Sequence, residues 1–203
     1  MSRIDLCGPK DFFRKEVTSA AKNLDLNINE QTEFYLVTLL CNFITPQKIE
    51  TKSGEQLEPL ETPLALLLKE ALESSHDVQL KIFKKLGDTS LYVAGYFQDY
   101  FNKKTYDVDY YMSMGSTAYK KMSNIMRHKN GEDHFTEMYW ELSNRFEDLV
   151  EIVSVISENG LHRKDSDVLA TYERWNVTQS KRLLKILLEE GITPVKSNCK
   201  KTQ

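Results

Sequence analysis

The chain has 203 residues, 40% of them hydrophobic and 28% charged, with a formal net charge of −3. That length suffices for one domain whose core needs neither disulfide nor metal, and the near-neutral balance excludes a global attraction to nucleic acid or anionic lipid. Three scattered cysteines, Cys7, Cys41 and Cys199, argue against a disulfide framework, and the longest purely apolar run, Leu64 to Leu68, is far too short to cross a bilayer.

Helix start and stop signals punctuate the chain. Gly8-Pro9 opens a first helix with Phe13, Val17, Ala20 and Leu24 on one face. Asn29 caps a second, whose stripe is Phe34, Val37, Cys41 and Ile44 and whose stop is Pro46. Residues 46–61 read as the longest loop. Thr62-Pro63 starts a third helix that runs to about Ser74. A long fourth, from Asp77 to Lys103, carries Ile82, Leu86, Ser90, Val93, Phe97 and Phe101, and is weakened locally at Gly87 and Gly95. Asp107 caps a fifth, with Val108, Tyr111, Gly115, Ala118, Met122 and Ile125 in register and a break at Asn130-Gly131. One uninterrupted helix from Asp133 to Glu158 is expected next, on the stripe Phe135, Tyr139, Leu142, Phe146, Leu149, Val153 and Ile156, closed by Asn159-Gly160. Ser166 and Thr178 cap two last helices. No segment carries a convincing period-2 strand pattern. The expectation is an all-α fold: a single-domain helical bundle of about seven helices over residues 1–195, followed by a polar tail, 196–203.

The N-terminus, Met1-Ser2-Arg3-Ile4-Asp5, lacks the apolar centre of a secretory signal, so a cytoplasmic location is expected. Signatures for chemistry are sparse. A dimetal bundle needs two Glu-x-x-His motifs. Glu73-Ser74-Ser75-His76 is one, while position −3 is Ile125 for His128, Gly131 for His134 and Asn159 for His162. No nucleophile elbow, phosphate loop or dinucleotide fingerprint is present. Neither a metal nor any other cofactor is expected.

The most informative segment is 86–119. From Tyr92 to Tyr119 lie seven of the ten tyrosines. Gly87, Ser90 and Ala94 share one helix face, and Gly115 with Ala118 does the same on the next helix, so a close approach of two backbones is open to both. Asp88 in mid-helix needs partners if buried, and hydroxyls of Tyr110 or Tyr111 are natural donors. Asp88, Tyr92, Tyr96, Asp109, Tyr110 and Tyr111 are therefore the candidate ligand-binding residues. They read either as an aromatic, polar-tipped pocket or as a close-packed helix pair with tyrosine tips in water.

Gly87-Asp88-Thr89-Ser90 resembles the Gly-Asp-x-Ser stretch of the distal helix of haem oxygenases. Leu91-Tyr92 replaces the adjacent Gly-Gly, however, and no histidine precedes it in the N-terminal helices to serve as proximal ligand. Leu86-Gly87-Asp88, Ala94-Gly95-Tyr96-Phe97, Asp109-Tyr110-Tyr111, Met114-Gly115, Ala118-Tyr119 and Tyr172-Glu173-Arg174-Trp175 together resemble a bacterial family of all-helical proteins of similar length. That resemblance implies one helical domain over most of the chain, and no activity, cofactor or site.

The last two helices, 167–175 and 178–190, have helix-turn-helix spacing with Lys181, Arg182 and Lys185 on the second. Glu189 and Glu190 follow on its last turn, and nucleic acid is not an expected partner. The reading that results is a cytoplasmic, non-enzymatic helical module that binds a small molecule or a protein through the 86–119 pair, with no membrane partner and an open oligomeric state. The alternative is an enzyme whose site assembles in space, with Asp88 as acid or base and tyrosines as donors.

Overall fold

The computed structural model describes residues 8–44, 63–97, 108–160 and 168–195. It is 84% helical, with nine helices and no strand among the described residues. They are α1 Pro9–Asn23, α2 Glu30–Ile44, α3 Leu64–Glu73, α4 His76–Tyr96, α5 Val108–Asn130, α6 His134–Asn144, α7 Phe146–Gly160, α8 Val168–Thr178 and α9 Lys181–Glu189. None is long and apolar enough to cross a membrane. Pro46, the 46–61 loop, Thr62, Phe101, Asp107, Ser166 and the 196–203 tail lie outside the described residues.

α4 is the central element. It packs against α2, α3, α5 and α7, so apolar or small residues surround it almost completely: Phe83, Leu86, Leu91 and Ala94 are buried, and so are Gly87, Ser90 and Gly95. Each fully buried Leu or Phe contributes roughly 1.5–3 kcal/mol over an exposed one. The glycines set how near the neighbours come. A Cβ on Gly95 would lie 2.5 Å from Cβ of Val153 on α7. One on Gly115 of α5 would lie 2.8 Å from Cβ of Ser90 and 2.1 Å from the Phe146 ring.

Nine helices stand among the described residues where about seven were expected and eight segments were delimited. The added boundary falls inside the expected Asp133–Glu158 helix, at Arg145, whose backbone (φ −109°, ψ 25°) leaves helical geometry. Its side chain holds the bend: Nε donates to Asp148 Oδ2 at 2.9 Å, and the guanidinium reaches the Asn27 carbonyl and Glu141. The inward stripe still runs through the bend from Leu142 to Phe146.

Other boundaries shift for local reasons. α4 stops at Tyr96 rather than Lys103, because Phe97 (φ −114°, ψ 37°) turns out of the helix and is itself exposed. Pro63 caps α3 rather than opening it. Thr178 ends α8 instead of capping α9; Gln179 takes a positive φ of 53°, and the Ser180 hydroxyl caps α9 by accepting from Leu183 N at 3.3 Å. The inward face of α2 keeps Val37, with Cys41 at its edge, as expected, but also takes in Thr32, Leu36, Leu39 and Leu40, while Phe34 is 63% exposed beside the Lys10 ammonium. Phe135 is exposed at the start of α6, where Thr136, Met138 and Tyr139 turn in instead. Asn29 caps α2 as its sequence position implies, with Oδ1 accepting from Thr32 N at 2.7 Å.

Buried apolar residues form two separate clusters. The larger unites α1 through α7. The smaller belongs to α8–α9 alone: Trp175, Leu183 and Leu187, edged by Tyr172, Leu184, Ile186 and Ile192.

Candidate functional site

Asp88 is the centre of a buried polar knot. Tyr35 of α2 donates to Oδ1 at 2.6 Å and Tyr119 of α5 donates to the same oxygen at 2.8 Å. Lys84, one turn earlier on α4, holds Oδ2 and lies 5.1 Å from the centre of the Tyr35 ring. Tyr139 of α6 completes the group, its ring 5.7 Å from Tyr35 and 5.9 Å from Tyr119. Burial pushes the Tyr35 and Tyr119 phenols well above their ordinary range, reinforced by the Asp88 charge, and burial raises Tyr139 to about 12. All three phenols stay protonated at neutral pH, and those of Tyr35 and Tyr119 donate to Asp88.

The expected donors to Asp88, Tyr110 and Tyr111, are not among these partners. They sit half-buried against the main core with their rings 5.6 Å apart, edge to face. Tyr92 also leaves the Asp88 face. It stacks on Phe43 (centroids 4.1 Å, planes 4° apart) and on Tyr96 at 5.1 Å, and burial raises its phenol to about 12. Tyr96 anchors α7 through its carbonyl, which accepts from the Ser157 hydroxyl at 2.9 Å. The six candidate residues are therefore dispersed: Asp88 in the polar knot, Tyr92 and Tyr96 in an aromatic stack, Tyr110 and Tyr111 against the core, and Asp109 exposed at the start of α5.

Over Gly87, the Tyr119 ring fills the space a side chain would occupy: a Cβ there would meet Cε1 at 2.5 Å. The Gly87–Ser90 stretch that resembles a distal haem helix is thereby covered by Tyr119 and Phe146. The Ser90 hydroxyl lies buried at this contact without a hydrogen-bond partner.

Asp109 opens onto space instead. It borders a cleft of about 460 Å³ running to Arg145 and Phe146, and a second of about 710 Å³ running to α9. Asp109, Met112, Glu147 and Asp148 line both. Leu24 and Leu26 give the larger cleft an apolar floor, and Asp25, held at a positive φ of 53° in the α1–α2 turn, stands at its rim. Lys181 and Lys185 of α9 also line it. Two neighbouring charges are already paired, Asp148 with Arg145 and Glu151 with Arg182.

Arg182 was expected on an exposed basic face. It turns inward, donating to Glu151 at 3.0 Å and to Glu158 at 2.7 Å. Glu73 and His76 end and begin different helices, and no three His, Cys, Asp or Glu side chains gather as metal ligands among the described residues.

Tyr35, Tyr119, Tyr139 and Lys84 are the partners that sequence reasoning missed. Only Lys84 had a signal, its i, i+4 spacing to Asp88. The tyrosines come from three other helices. No family model, no curated protein and no solved structure matches the chain.

Proposed function

We propose that the chain is a cytoplasmic, non-enzymatic module, one helical domain that binds a small ligand or a protein partner at the Asp109 end of the α4–α5 pair. The observation that supports this is the meeting of two clefts at Asp109 and Met112, beside a centre at Asp88 that is filled by its own side chains. A space of about 710 Å³ lies in the range that takes a drug-sized molecule. Its lining, which combines Leu24 and Leu26 with carboxylates and with the ammonium groups of Lys181 and Lys185, favours a ligand or chain segment bearing both charges. The tyrosines at 92, 96, 110 and 111 then hold the helix pair that presents Asp109.

The enzymatic alternative makes Asp88 an acid or base. A catalytic base needs a lone pair aimed at its substrate, and here Oδ1 serves two phenols while Oδ2 serves Lys84. With both oxygens already engaged, Asp88 is better placed to hold the helices together than to take a substrate proton, which supports the binding reading.

Native mass spectrometry of protein taken from its own cells tests the proposal on the parent, Asp109→Lys and Asp88→Asn. Retained mass, small molecule or partner chain, is expected on the parent and on Asp88→Asn, and is lost with Asp109→Lys. Loss with Asp88→Asn alone would move the site to the tyrosine centre. A parent that retains nothing would sink the binding reading.

A further inference from the structure

The α9 residues that line the larger cleft belong to a hairpin, α8–α9, which touches α5 through α8 and meets α7 through a cluster of charged side chains. Its apolar residues close on one another rather than on the main core. What joins it to α7 is charge. Glu158 Oε1 accepts from Arg174 Nη1 of α8 and from Arg182 Nη2 of α9, both at 2.7 Å. Arg182 Nε also donates to Glu151 Oε1 at 3.0 Å, and that oxygen accepts from the Ser180 hydroxyl at 2.6 Å. The Arg174 and Glu158 side chains are only 5% and 10% exposed. On α7 the groups involved, Glu151, Ser154 and Glu158, form a single polar stripe at i, i+3, i+7, with Ser154 hydrogen-bonded to Glu158.

The energetics of such a contact differ from those of an apolar one. Arginine and carboxylate are both strongly hydrated when apart, so the attraction gained on docking is largely offset by desolvation. An apolar face gains from burial without that opposing cost. Among the described residues the bundle's core cluster includes no residue of the hairpin, and the hairpin has a cluster of its own. Two carboxylates meeting two arginines therefore make a near-balanced latch between two self-contained bodies.

We propose that α8–α9 is a movable jaw, docked on α7 by the Glu151–Glu158–Arg174–Arg182 latch and opening as a unit while α1–α7 stay folded. Ser180 and Arg182 belong both to the latch and to the lining of the cleft, so opening the jaw widens the cleft, and whatever fills the cleft biases the latch. This motion goes beyond the binding proposal and stands whether or not a ligand enters.

Hydrogen exchange read by mass spectrometry on the full chain tests it. In the parent, amides of 181–189 are expected to exchange at least tenfold faster than those of α4 and α5. Glu158→Gln, which leaves both arginines short of a charge partner, should speed the hairpin about tenfold again without changing α4 or α5. The triple replacement Glu158→Met, Arg174→Leu, Arg182→Met exchanges the latch for an apolar contact and should slow the hairpin toward the bundle's rate. It also decides the matter if Glu158→Gln fails to fold. Exchange of hairpin and bundle at one common rate in the parent, or a triple variant whose hairpin exchanges no slower than the parent's, overturns the proposal.

Discussion

A mostly shielded carboxylate that accepts hydrogen bonds from two phenols is a stability determinant before it is anything else. Asp88→Ala leaves the hydroxyls of Tyr35 and Tyr119 without their acceptor. A buried donor left unmet costs roughly 1–3 kcal/mol, and Tyr119 is wholly buried, so urea melts should show a loss of about 2–4 kcal/mol by that reasoning. Asp88→Asn keeps a carbonyl oxygen that both phenols can reach but loses the charge that strengthens those bonds, and should lose about half as much. Lys84 adds little to either figure, since its side chain is 45% exposed and water screens the pair. If both variants melt with the parent, the phenols find water and the knot is not sealed. The position of Asp88, mid-helix beside Gly87, was enough to single it out from sequence. Its partners were not legible, because Tyr35 and Tyr119 stand 53 and 31 residues away and reach it only through the packing of three helices. Tyr110 and Tyr111 had the right chemistry but stand two turns or more along α5 from Tyr119, the residue that packs over Gly87.

Between helices, the decisive quantity is distance of approach. Gly95→Ala gains roughly 1 kcal/mol of helix propensity, yet its methyl would sit 2.5 Å from Val153 Cβ and 3.1 Å from the Val150 carbonyl oxygen. Neither is the far end of a flexible side chain, and overpacking of this kind costs roughly 1–3 kcal/mol. The net expectation is a less stable protein, read as a lower urea midpoint; a raised midpoint would mean that α4 and α7 separate easily. At a helix end the sign is simpler. Asn29→Ala removes the acceptor for Thr32 N and should cost about 1 kcal/mol in the same melt. Caps of this sort, and the stripes of α1, α5 and α7, were readable because each depends on spacing within one segment. The bend at Arg145 was not, since the side chain that holds it is fixed partly by the Asn27 carbonyl from another part of the chain. Phe34 misled for a related reason: α2 carries so many apolar residues that its sequence admits two stripes, and only contact with α1, α4 and α6 selects one.

For the molecule as a whole, the tyrosines make the fold sensitive to base. Tyr35 and Tyr119 are held protonated well above their ordinary pKa by burial and by the Asp88 charge, and burial raises Tyr92 and Tyr139 to about 12. In the unfolded chain each ionises near 10. Above that pH the unfolded state releases protons that the native state still holds, so stability falls as pH rises. Below it both states are protonated and these groups give no slope. Stability should therefore be independent of the phenols up to about pH 10 and then decline steeply. The measurement is absorbance at the phenolate band alongside helical circular dichroism during a base titration. Tyrosines of the bundle core are expected to ionise only as helix content is lost, in one shared transition. The hairpin's apolar cluster contains Trp175 and none of these four tyrosines, so with Trp140 of α6 replaced by Phe its fluorescence follows the second body independently. Ionisation of the buried phenols near pH 10 with helix content intact would show that water reaches Asp88 and its tyrosines in the folded state, and that the space around them is a pocket after all.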